Sequence, residues 1–125
     1  MFREPKTQAY CIGRLDSEEN LSEDLGKNLV ETLRNEKIAR IGDSSNQEYR
    51  DKSPQARRFI LTRWAGEANS DGERIKISLD QYSFLSGSPI KRVEVRFDYY
   101  DGVNPDDMQK LNGVFEDAGF GRFWG

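Results

Sequence analysis

Apolar and polar residues alternate most regularly in the second half of the chain. Arg74-Ile75-Lys76-Ile77-Ser78-Leu79-Asp80 puts Ile75, Ile77 and Leu79 on one side of an extended backbone. Arg92-Val93-Glu94-Val95-Arg96-Phe97-Asp98-Tyr99 repeats the period. Side chains of a strand point alternately to opposite faces, so both segments predict strands with one buried and one wet face. Two in succession predict antiparallel pairing. Arg57–Trp64 is rich in β-forming residues and predicts a strand ahead of them, with Gly66 to Gly72 as the turn. Gln8–Leu15 and Phe120–Gly125 predict short strands near the two ends.

The helical period appears twice. Leu21, Leu25, Leu29 and Leu33 recur every fourth residue with Val30 beside them, which predicts one apolar stripe on a helix. The expected length is about 14–18 residues, with Ser22 as N-cap and acidic residues in the first turn. Gly26 inside it costs about 1 kcal/mol relative to alanine, so this helix needs tertiary support. Asn104-Pro105-Asp106-Asp107 is a second helix start, with asparagine at the N-cap and proline at the first helical position. Met108, Leu111 and Phe115 follow at helical spacing, and Gly119 suits the residue after the last turn.

Ile38–Ile41 is compatible with either a helical continuation or a short strand. The stretch 42–55 has no apolar residue other than Tyr49 before Pro54, and predicts a flexible exposed loop. The expected order is β-α-(β)-β-β-β-α-β. This is a single α+β domain over 1–125, a two-layer sandwich whose mainly antiparallel sheet of about five strands carries two helices on one face.

Composition then narrows the chemistry. Among 125 residues there is no histidine and one cysteine. Histidine-based nucleophile pairs, His-ligated zinc or haem and all-cysteine clusters are excluded. Asp98, Asp101, Asp106 and Asp107 lack calcium-loop spacing and are accounted for by an Asp-Gly turn and a helix cap. No glycine precedes a Lys-Ser or Lys-Thr pair, so no phosphate-cradling loop is present. Gly119-Phe120-Gly121-Arg122-Phe123 alternates glycine and aromatics as RNA-binding sheets do. It has Ala118 where a basic residue is needed, however, and it follows the last helix. The expectation is a protein without a cofactor, a metal or a catalytic site. No leader-like apolar run follows the first charges and no stretch is long enough for a bilayer, so the expected setting is cytoplasmic, away from membranes. One cysteine fits a reducing compartment.

The formal net charge of −3 conceals a polarity. Residues 57–100 carry net +2, between flanks of −2 (1–56) and −3 (101–125). Alternation places Arg74, Lys76, Arg92 and Arg96 on the side away from the core, with Arg58 and Arg63 on the preceding strand. Trp64, Tyr100 and Trp124, near strand ends or the terminus, add aromatic character of the kind favoured at protein interfaces. These nine residues form the candidate partner-binding set. The expected function is a small binding protein of inhibitor, immunity or viral and mobile-element accessory type, acting on another protein. A single-stranded nucleic-acid-binding sheet face is the alternative, and a homo-oligomer is a further possibility. Against all of these stands cross-strand pairing with Glu73, Asp80, Glu94 and Asp98, which explains a charged face without any ligand.

Overall fold

The computed structural model describes residues 4–50, 58–84 and 89–123. Nine elements follow along the chain: β1 (Pro5–Gly13), α1 (Leu25–Asn35), β2 (Arg40–Ile41), β3 (Ser45–Arg50), β4 (Arg58–Ser70), β5 (Glu73–Phe84), β6 (Ile90–Tyr100), α2 (Pro105–Asp117) and β7 (Gly121–Arg122). The strands form one antiparallel sheet in the order β2-β4-β5-β6-β1-β7, with β3 also pairing with β4. The fold is of the α+β class, and its sheet has seven strands rather than about five.

The two alternating segments became the middle of the sheet. Ile75, Ile77 and Leu79 of β5 and Val93, Val95 and Phe97 of β6 are buried. They share one cluster with Leu29, Val30 and Leu33 of α1 and with Met108, Leu111 and Phe115 of α2. Phe97 meets Phe115 edge-on at 5.6 Å between ring centres, and Phe115 meets Phe120 at 5.3 Å. The intervening residues Lys76, Ser78, Asp80, Arg92, Glu94 and Arg96 lie on the opposite face, with Arg63 of β4 directly across from Asp80.

Three expectations need correction. The segment expected as a flexible loop at 42–55 contains β3, which pairs with Arg58–Arg63; residues 51–55 lie outside the described residues. A sheet-edge strand is held by backbone hydrogen bonds to its neighbour, which polar side chains satisfy as well as apolar ones. Within Ile38–Ile41, Arg40 and Ile41 form β2 on the same edge of β4, and Ile38 and Ala39 are neither helix nor strand. Between Ile41↔Gly66 and Ser45↔Arg63 this edge carries one extra residue, so β2 and β3 are one strand interrupted by a bulge.

β4 is longer than expected. It runs to Ser70, and the turn shrinks to Asp71 and Gly72, with φ of 51° and 84°. Two positive φ values define the tight hairpin turn whose twist matches its strands. Finally, α1 begins at Leu25 and has 11 residues. Ser22 does not cap it, and Leu21 lies outside it in a bridge to Ile90. By contrast, Asn104 caps α2 as expected, its Oδ1 accepting from the Asp106 amide at 2.9 Å. Gly119 has φ of 92° after the helix.

Gly26 explains why α1 tolerates a poor helix former. Its amide donates to Gln81 Oε1 at 3.0 Å, and a Cβ there would lie 2.8 Å from Trp64 Cζ3. The first turn of α1 thus lies directly on β4 and β5. Lys91 supplies another close fit. Tyr82 pairs with Arg92 and Ser83 with Ile90, so Lys91 is the extra residue of a bulge, 5% exposed. Its Nζ donates to Ser17 O at 2.9 Å and to Asn20 Oδ1 at 2.8 Å, and lies 5.2 Å from the Phe84 ring centre.

Candidate functional site

The charged face is built by β4, β5, β6 and β1 through strand alternation, and its electrostatics are largely internal. Arg63 clamps Asp80 with two bonds, Nε to Oδ1 at 2.7 Å and Nη2 to Oδ2 at 2.9 Å. The hydrogen bond and charge of Asp80 hold Arg63 further into its protonated range. Asp80 stands directly across from Glu94, a like charge. Glu94 in turn accepts from Arg92 Nε at 2.6 Å. The result is a belt of Arg63, Asp80, Glu94 and Arg92 over three strands, in which each carboxylate is neutralised by an arginine. Asp98 accepts from Thr7 Oγ1 at 2.6 Å, and Arg74 is paired with Glu67.

The nine expected site residues therefore separate. Arg74, Lys76 and Tyr100 come together around a cavity of about 370 Å³, with Pro5, Glu73 and Asp98 also on its wall. Tyr100 is 44% exposed, the one large hydrophobic side chain counted as exposed among the described residues. Arg63, Arg92 and Arg96 share the face but lie away from this cavity. Arg92 is committed to structure as well: its Nη1 donates to Gly13 O at 3.2 Å, and its guanidinium lies 5.0 Å from the Phe123 ring centre.

Two residues lie off this face. Trp64 is across from Leu79 and packs on the core beside Gly26, so it faces away from Arg63. Arg58 shares that parity and reaches Glu48 of the edge strand at 3.6 Å. Trp124 lies outside the described residues. Sequence reading singled out neither Gln8 nor Asn112, whose amide oxygens are buried without partners. Isolated amides on a strand and a helix carry no sequence signal; only the fold brings them together.

Among the described residues no helix is long and apolar enough to cross a membrane. Comparison with family models, with curated proteins and with solved structures finds no match to this chain.

Proposed function

We propose that this chain is a single-domain, non-catalytic binding protein that acts on another protein in the cytoplasm, in the manner of an inhibitor, an immunity protein or an accessory factor. In this reading the two helices form a second layer over the Ile75–Val95 face and leave the charged face to the partner. The observation that carries it is Tyr100, exposed beside Arg74 and Lys76 at one concavity of that face. A tyrosine with neighbouring cations is the composition that interface anchors favour. Occupation of a partner's surface by this corner requires no histidine, metal or cofactor.

The alternative, a nucleic-acid-binding face, is weakened by the carboxylates of the belt. Asp80 and Glu94 already neutralise Arg63 and Arg92, and phosphates would meet them at the centre of the sheet.

The test is affinity capture from the native cell with three forms of the protein: wild type, Tyr100→Ser/Arg74→Glu, and Arg14→Glu as a distant exposed control. A protein retained by wild type and control but lost by the double variant supports the reading. Identical capture by all three removes this corner from the function. Arg92 is unsuitable for such a test, because its loss would disturb β6 and Gly13 together with any interface.

A further inference from the structure

Two side-chain oxygens among the described residues are buried without a hydrogen-bond partner, Gln8 Oε1 and Asn112 Oδ1. Both residues line one open cavity of about 480 Å³ between β1, the end of β6 with the turn that follows it, and α2. A buried acceptor left unmet costs about 1–3 kcal/mol. Two at a single cavity mark a place where donors are missing. Gln8 Nε2 donates to Tyr99 Oη at 2.8 Å, so that amide is engaged on its nitrogen side and unmet on its buried oxygen side. A third acceptor is close by: Glu116 lines the same cavity, and its Oε1 receives only a long 3.3 Å bond from Tyr10 Oη. Val103 and Met108 contribute apolar wall, and Lys6 also lies on it with its ammonium paired to Asp101 at 2.6 Å, so that Glu116 supplies the carboxylate not matched by a cation of the wall.

Three acceptors, one of them anionic, beside apolar wall complement a group with three donors, positive charge and no acceptor. That is a primary ammonium on an aliphatic stem. The fold already holds one ammonium with the same donor chemistry. Lys91 Nζ is bound by the carbonyl of Ser17 and the side-chain amide oxygen of Asn20, with no carboxylate involved. We propose that this cavity binds a primary ammonium group carried on a short aliphatic stem, with Gln8, Asn112 and Glu116 as its acceptors. The group has two sources, a free amine or the lysine side chain of another protein. The site does not rest on the partner-binding reading of the charged face.

The experiment is a nuclear magnetic resonance titration of the full chain, following the side-chain NH₂ signals of Gln8 and Asn112. Butylammonium chloride is the probe, and butyltrimethylammonium chloride, with equal charge and stem but no N–H donor, is the comparator. Saturable shifts of both amides with the first salt and not the second are expected. N-acetyl-lysine methylamide then separates the sources: tighter binding than butylammonium assigns a protein lysine, and exclusion assigns a free amine. Asn112→Leu removes an acceptor that has no partner in the unliganded fold. It is expected to weaken butylammonium about tenfold, equivalent to about 1.4 kcal/mol, without lowering Tm. Should that variant fail to fold, Glu116→Gln, which keeps an acceptor and removes the charge, is expected to weaken binding severalfold. Absent shifts, equal shifts with the quaternary salt, or unchanged affinity in a folded variant would overturn the proposal.

Discussion

Gly26→Ala sets helix propensity against packing. In an exposed helix interior the change stabilises by about 1 kcal/mol. Here the new methyl would lie 2.5 Å from Gln81 Oε1 and 2.8 Å from Trp64 Cζ3. Gln81 is 9% exposed and its Oε1 already accepts from the Gly26 amide, so moving it away breaks that bond. Overpacking costs about 1–3 kcal/mol, and a lost hydrogen bond a further ~1 kcal/mol. After the propensity gain, a net destabilisation of about 2 kcal/mol is expected. Urea unfolding followed by circular dichroism measures it. With a slope of about 2 kcal/mol per molar, the midpoint should fall by about 1 M at constant slope. In a Trp64→Leu background the Gly26→Ala change should cost less than it does in wild type, because the ring that meets the methyl is gone. A single variant more stable than wild type would refute close contact between α1 and the β4–β5 pair.

Other perturbations test separate parts of the fold. Lys91→Met leaves Ser17 O and Asn20 Oδ1 without their donor and should cost about 1–3 kcal/mol; hydrogen exchange at Leu21, whose amide bonds Ile90 O, should quicken more than at Phe97. Asn104→Ala removes the cap of α2 and should lower stability by about 1 kcal/mol, read by thermal unfolding. Gly72→Ala meets no atom within 4 Å but must adopt φ of +84°, so a loss of about 1–2 kcal/mol would come from backbone strain alone. The side chain of Asp101 hydrogen-bonds Lys6 and its charge adds to this, raising the ammonium above 10.5. That stabilisation is present below 10.5 and is lost as pH climbs through the raised value; Asp101→Asn should abolish this alkaline dependence.

Much of this architecture is written in local pattern. β5 and β6 alternate strictly because one face packs and the other is wet, and α2 carries its cap and its proline at its first turn. What escaped detection depends on neighbours. Ser45–Arg50 has no apolar rhythm, since its stability comes from the backbone of β4. Ala65–Ser70 resembles a loop because its residues are small, and Gly66 is small because Arg40 O and Ile41 pass too close for a Cβ. The charged face was legible as a face but not as a belt: the pairing of Arg63 with Asp80 depends on register. Around Tyr100 the sequence marked three residues of the cavity. Gln8 and Asn112 emerge only once strand and helix are brought together.

The pairing of β1 with β6 also orders events in time. Gln8 lies across from Phe97, and Pro5 across from Tyr100. Once synthesised, β1 therefore waits for its partner β6 until α1 and the four intervening strands have also been made. β4, β5 and β6 are successive neighbours, and the β4–β5 hairpin closes through two residues. Loop closure favours such short-range contacts over pairings that span most of the sequence. During translation the β4–β6 meander can assemble while β1 waits, its apolar Tyr10 and Ile12 uncovered. β7, which pairs with β1, can only follow. Docking of β1 is thus the late and vulnerable step on which the β7 edge depends.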